Sequence, residues 1–405
     1  MANETKRSPG RRAERSSART SGTSERSDPG GRAGRAQRSR PGQTERIISA
    51  DSHVTIRDAA VLEHLPAKHH DAYRAGKLAA LRRFVGDEAE KMIDSDQLGL
   101  DDDEEQHRWE SAGRPGAFDP HARLADMDTD QVDAEILYTD SWAGAAFYEM
   151  PDNGWLAGFQ AFNTAAIEFA SVSPERLLPV YIIPIADIDE AVKEVQRVAN
   201  EGARAAHLPL YPMDLGFPGY WDAVYDPLWS VLCEVGMPVS QHVASNAYLA
   251  TLRAADPTPM RGVMHALPNI FMAESIGFWI VAGILERFPE LNVVMVEAGL
   301  GWLPYWLARL DRMMTKHGWD HFDTLKEKPS FYWHRQMAAT FEEDELGMDL
   351  RELIGVENMM WATDYPHPDS TWPHSQDVIH THFDGLPLEE TRLMIGGNAA
   401  RLYKL

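Results

Sequence analysis

The sequence is poor in cysteine, in basic residues relative to acidic ones, and in long apolar runs. One cysteine in 405 residues, Cys233, excludes an intrachain disulfide framework and a cysteine-based zinc cluster. Against 62 Asp and Glu stand 39 Lys and Arg, a formal net charge of −23. That deficit disfavours nucleic acid as the main partner. The most apolar run, Phe278–Leu285, is far shorter than the roughly 20 residues a membrane helix needs. No apolar secretory core stands near the start. The lone Cys and the missing export signal lead to the expectation of a cytoplasmic protein, and neither a membrane nor a nucleic-acid partner is expected; a small-molecule substrate and a homodimer are separate expectations.

The charge is unevenly divided. Residues 1–46 carry eleven Arg and one Lys against five acids, so the −23 splits into +7 on this tail and −30 on the remainder. The tail is rich in Gly, Ser, Arg and Pro, has no periodicity and holds almost no large apolar residue. It cannot bury a core, and residues 1–46 are expected to be a disordered tail. The fold is expected in residues 47–405.

Within that body, short apolar runs alternate with amphipathic ones. Strands are predicted at 47–54, 134–139, 178–185, 205–210, 238–243, 293–298, 337–341 and 359–363, most of them apolar on both faces, as covered parallel strands are. Helices are predicted at 163–170, 188–201, 278–288 and 303–316. Another is marked by Leu228, Val231, Leu232 and Val235 at helical spacing, with Gly236 as its stop. Eight strand–helix alternations in about 350 residues predict an α/β fold, a distorted (β/α)8 or TIM barrel. The rival open sheet lacks its Gly-x-Gly-x-x-Gly turn after the first strand. The stretch from about Val61 to Arg123 breaks the alternation and is expected to be an insertion after strand one. Its residues 86–105 hold ten acids and one Lys without the spacing of a calcium hand, and are expected to form a solvated loop.

Polar residues collect where the apolar runs end. Asp51 and His53 are two apart on the first strand and so share a face. His242 ends the fifth run, Glu297 the sixth and Asp364 the eighth, with His367 three residues on. The C-terminal strand ends of such a barrel form its mouth, where active sites sit. Carboxylate and imidazole together suit a divalent cation. Taken singly, each also reads as an Asp orienting a His or an acid paired with a base; four strands ending this way favour the metal. His207 ends the fourth run and is a candidate for lining the pocket, as is Trp302; Trp361 and Trp372 fit a pocket wall or ordinary packing equally well. Asn398 is expected to cap the last helix.

Six ordered segments carry a resemblance: ADSHV (50–54), RLADMDTDQVDAEILY (123–138), WSVLCEVGMPVSQH (229–242), ILERFPELNVVMVEAGLGWLPYWLARLD (284–311), NMMWATDYPHPDSTWP (358–373) and IGGNAARLY (395–403). Over residues 47–405 the chain resembles the amidohydrolase superfamily, in the branch that includes aminocarboxymuconate-semialdehyde decarboxylase. The resemblance implies a barrel with one divalent metal, usually zinc, on Asp51, His53, His242 and Asp364; the carboxylate of Asp51 in place of an imidazole hardens the site and makes manganese or iron the alternatives. It also implies that Asp364 manages a proton. Two positions depart from the pattern: the first motif is Asp-x-His where the family commonly has His-x-His or Glu-x-His, and Glu297 stands where the similar decarboxylases carry a His before Gly.

The resulting expectation is a metal-dependent hydrolase. Water activated at the metal attacks a carbonyl carbon of a small organic substrate, with Asp364, Glu297 and His367 as catalytic groups and His207 and Trp302 as substrate contacts. The alternative is a non-oxidative decarboxylase, a carboxy-lyase of an aromatic or unsaturated acid. A metal-free scaffold is the third reading, and an intact ligand set argues against it.

Overall fold

A computed structural model of the chain describes residues 46–85, 114–139, 143–243, 251–252, 254–259, 262–318 and 324–405. All of these fall in the unit Arg40–Leu405. The expected tail, except Arg46, and the acidic block 86–105 lie outside the described residues.

The described residues form nine strand segments: β1 (Ile48–Val54), β2 (Ala134–Thr139), β3 (Leu177–Pro179), β4 (Tyr181–Ile182), β5 (Ala206–His207), β6 (Val239–His242), β7 (Val293–Val296), β8 (Met337–Phe341) and β9 (Met359–Trp361). Each predicted strand is there. The third divides at Val180, so that β3 pairs with β2 and β4 with β5. All pairings are parallel, in the orders β1-β2-β3 and β4-β5-β6-β7-β8-β9. Val180 carries the chain from one sheet to the other. On the opposite side no regular ladder joins β9 to β1. Asp364 N–H donates to Asp51 O (3.0 Å), and His53 N–H donates to Tyr365 O (2.5 Å). Those bonds close the distorted TIM barrel.

Side-chain alternation gives the barrel two apolar layers. Ile48, Ala50, Ile136, Tyr138, Leu178, Val180, Val294, Val296, Ala338 and Met360 form an inner cluster, joined by Tyr403 from the C-terminal helix. Their neighbours in sequence, such as Leu137, Val239, Val293, Met295, Phe341 and Trp361, face outward against the helices. This two-sided burial is why the strands read as continuous apolar runs.

The helices used below are α1 (Asp58–His64), α2 (His70–Val85), α3 (Pro120–Asp130), α4 (Trp155–Ala170), α5 (Ile188–Asn200), α6 (Asp226–Val235), α7 (Pro268–Val281), α8 (Ile284–Arg287), α9 (Leu303–His317) and α10 (Asn398–Tyr403). The helix predicted at 163–170 begins earlier, at Trp155, because small and apolar residues extend its buried face. The single helix predicted at 278–288 is two, α7 and α8, since Gly283 adopts a left-handed conformation (φ 77°) between them. Gly236 (φ 62°) ends α6 as the sequence indicates. The expected insertion is partly regular: α1 and α2 lie in or beside it, and α3 begins at Pro120 behind the N-cap Asp119. Asn398 does not cap α10, where Gly397 is the N-cap. Its amide donates to Val356 O (2.7 Å) and Met359 O (2.8 Å), anchoring α10 beneath β9.

Candidate metal centre

Three local backbone features turn the ligand-capable side chains inward. On β1 the register shifts between Ser49 and Ser52. Ile48 and Ala50 belong to the inner layer, yet Val54 belongs to the outer one. The bulge thus exchanges faces and presents Asp51 and His53 to the interior. On β6 regular alternation suffices: Val239 faces out, Ser240 accepts from the inner Tyr138 hydroxyl (3.0 Å), and His242 follows inward. Past β7 and β9 the backbone turns left-handed at Glu297 and Asp364, both at φ 55°. Non-glycine residues seldom adopt that conformation, and where they do it often serves a site. Glu297 is held there by its N–H to Thr340 Oγ1 (2.7 Å) and its carbonyl to Asn269 Nδ2 (2.9 Å).

The side chains converge. His53 Nε2 lies 3.1 Å from His242 Nε2, 3.2 Å from Asp364 Oδ1 and 3.7 Å from Asp51 Oδ1. His242 Nε2 lies 3.6 Å from Asp51 Oδ1 and 3.8 Å from Glu297 Oε2. His367 Nδ1 is 3.0 Å from both Asp364 oxygens, and its ring sits 3.9 Å from that of His53. Asp51, His53 and His242 form one group within metal-binding reach, and His53, Glu297, Asp364 and His367 form another.

Two observations test whether a cation suits the site. Asp51 is fully buried, and its Oδ1 has no hydrogen-bond partner among the described residues. Such a carboxylate oxygen is costly unless a charge or proton meets it. His242 Nδ1–H donates to Val243 O (2.5 Å), which leaves Nε2 free to face His53 Nε2. Two imidazole nitrogens and an orphaned carboxylate oxygen that converge in this way require a proton or a cation between them. Asp51, His53, His242 and Asp364 therefore fit a divalent metal, and the backbone bond at His242 Nδ1 sets the ligand tautomer.

Electrostatics in the bare site follow from this crowding. Burial, with the neighbouring His367 and His242, pushes His53 down to about 3. Burial also disfavours charge on His242, but Asp51 and Glu297 outweigh it and raise the imidazole to about 9. His367 is likewise lifted to about 9, since hydrogen bonding to Asp364 overcomes its burial. Asp364 is drawn below the usual carboxylate range by His367 and His53 despite its burial. Glu297 goes the other way: burial raises it well above the usual value, and Asp364 adds to the effect. The surroundings thus favour the neutral acid at Glu297 and the carboxylate at Asp364.

The remaining candidates are placed as follows. His207 ends β5 facing the interior, edge-on to Tyr138 at 5.9 Å, and burial lowers it to about 3. Trp302 donates from Nε1 to Ala298 O (2.9 Å) and packs on the outer core; no contact among the described residues joins it to the cluster. Trp361 is wholly buried in the outer layer, a packing residue. Glu342, directly after β8, escaped the sequence reading. Its Oε1 is buried without a hydrogen-bond partner among the described residues, and burial with the Asp364 and Asp51 charges raises its carboxyl well above the usual range. The signal was an acid abutting the apolar run Met337–Phe341, as Glu297 abuts Val293–Val296.

The amidohydrolase family model matches residues 102–405. The chain belongs to that family. Among curated relatives, the gamma-resorcylate decarboxylase of a Rhizobium species is 25% identical over 305 residues, 70% of this chain and 86% of that protein. The decarboxylase orsB of Emericella nidulans is 26% identical over 213 residues, half of this chain and 62% of the relative's length. A 5-carboxyvanillate decarboxylase from Novosphingobium aromaticivorans, solved with manganese and a nitrobenzoic acid, has a TM-score of 0.68 at 18% identity, covering 90% of this chain and 97% of the other. At that identity the likeness concerns the fold, and it agrees with the barrel described above. The described residues of this amidohydrolase contain no helix long and apolar enough to cross a membrane.

Proposed function

We propose that this amidohydrolase is a metal-dependent carboxy-lyase that removes carbon dioxide from an aromatic acid without oxidation. The observation that carries the proposal is the pairing of a cation-suited cluster around the orphaned Asp51 Oδ1 with Glu297, whose Oε2 lies 3.8 Å from His242 Nε2 and whose burial favours the protonated acid. Hydrolysis ranked first from sequence; the decarboxylase relatives support the alternative and move it ahead. Asp51, His53, His242 and Asp364 would hold the metal. Manganese is favoured over zinc, because Asp51 hardens the donor set and because a similar barrel was solved with manganese. When bound, a divalent cation supplies positive charge that holds carboxylate and hydroxyl oxygens of a substrate.

The protein's own residues then move the proton. Glu297 gives its proton to the ring carbon that bears the carboxylate. The carbon–carbon bond breaks, its electron pair restores the aromatic ring, and carbon dioxide leaves. Glu297 is reprotonated from water. His367, donating to Asp364, keeps that carboxylate ionised and oriented. His207 on the interior wall and Trp302, on the same loop as Glu297, are proposed substrate contacts.

The test is incubation of purified, manganese-loaded protein with hydroxybenzoic acids, measuring carbon dioxide and the decarboxylated phenol. Parallel incubation with esters, amides and lactones tests hydrolysis. Turnover of the second set alone would reinstate the hydrolase reading.

A further inference from the structure

Two of the proposed metal ligands, His53 and Asp364, stand on opposite sides of the seam between β1 and β9, where no regular ladder forms. Something other than sheet pairing must set the distance between them. The seam is bridged at three levels. Two backbone bonds cross it, as described for Asp364 and His53. Beside them, Thr363 N–H donates to Ser49 Oγ (2.8 Å), and the hydroxyls of Ser49, Ser52 and Thr363 lie 3.0 Å apart.

The third level is Arg123, a fully buried cation on α3. Its Nη1 donates to the carbonyl of His53 (2.8 Å) and to that of Gly116 (3.0 Å). Its Nε donates to Glu135 on β2 (2.5 Å), and its guanidinium lies 4.3 Å above the ring of Tyr365. Tyr365 directly follows Asp364, and its hydroxyl donates to Asp126 Oδ2 (2.6 Å), one turn of α3 from Arg123. Asp126 is also gripped by Arg114 (2.5 Å). A Cβ at Gly116 would come within 2.4 Å of the Tyr365 hydroxyl and 2.5 Å of Asp126 Oδ2, so this contact leaves no slack.

We infer that Arg123 is a positioning residue for the metal centre: through the His53 carbonyl on one side and the Tyr365 ring on the other, it fixes the spacing of His53 and Asp364 across the seam. Only a planar guanidinium can do all three things at once, namely donate to a carbonyl, pair with Glu135 and stack on a ring; an ammonium cannot. The inference rests on the metal-centre reading, and its test separates the two.

Cobalt(II) is titrated into full-length wild type, Arg123→Lys, Tyr365→Leu and the control Lys77→Met. The control breaks the ion pair between Lys77 on α2 and Asp58 on α1, helices that carry none of the proposed ligands. Chelator competition gives the dissociation constant, the cobalt absorption spectrum reports ligand geometry, and a thermal melt of each metal-free protein reports general stability. Arg123→Lys is expected to weaken cobalt binding by about tenfold or more and to alter the spectrum. Lys77→Met is expected to lower the melting temperature with affinity and spectrum unchanged. Wild-type affinity and spectrum in Arg123→Lys would overturn the inference, as would an equal affinity loss in Lys77→Met. If Arg123→Lys does not fold, Tyr365→Leu, which removes the ring under the guanidinium, decides: weaker binding and a changed spectrum support the inference, and unchanged ones overturn it. Failure of the wild type itself to bind cobalt would instead sink the metal-centre reading.

Discussion

Glu297 and Asp364 show how far one backbone angle reaches. Both are ordinary acids in sequence, both sit at φ 55°, and both are thereby swung from strand-end positions into the barrel mouth. Their environments then drive them apart, Glu297 toward the neutral acid and Asp364 toward the carboxylate. Glu297→Gln removes the proton proposed for transfer and leaves the four proposed ligands in place. It is expected to cut decarboxylation by roughly 10²–10⁴-fold with metal content unchanged, as checked by product assay and elemental analysis. His242 sets a second expectation. Its imidazole is raised to about 9 in the bare site, so below that pH a proton occupies the nitrogen a metal needs. Metal affinity should therefore rise with pH up to about 9 and fall as pH drops through 8, 7 and 6, with a proton released on binding. Calorimetric titration in buffers of different ionisation enthalpy measures that proton, and a pH-independent affinity would contradict the assignment.

Among the elements, β1 does the most with the fewest residues. Its bulge lets one strand fill the inner core with Ile48 and Ala50 and still aim Asp51 and His53 at the same interior. The i,i+2 spacing revealed that those two share a face, but which face depended on a register shift fixed by pairing with β2. Helix ends were more legible. Asp187 caps α5 by accepting from Glu190 N–H, and the buried Ala191, Val195 and Val198 follow at helical spacing. Asp187→Ala should lower stability by about 1 kcal/mol in urea unfolding and leave metal binding alone. Asn398 shows the limit of such reading: an Asn ahead of a helix resembles a cap, yet here it spends its amide on the base of β9. A tertiary partner outcompeted the local one.

For the molecule as a whole, the charge asymmetry makes a prediction about truncation. Removing residues 1–45 takes away basic charge and no described contact, and is expected to leave the melting temperature and metal content unchanged. Starting the chain at residue 102, where the family match begins, would delete β1 with Asp51 and His53 and strip β2 of a neighbour. That protein is expected neither to fold nor to retain metal, as circular dichroism and elemental analysis would show.

By itself the sequence determined the alternation of strands and helices, the places where apolar runs give way to acids and imidazoles, and the separation of a basic tail from an acidic body. These are local properties: burial on both faces and helical or two-residue periodicity are written along the chain. The convergence of Asp51, His53, His242, Glu297 and Asp364, the recruitment of Glu342, and the clasp of Arg123 were decided only in three dimensions. Each depends on a bulge, a left-handed turn or a partner many residues away, and the closed barrel brings them together.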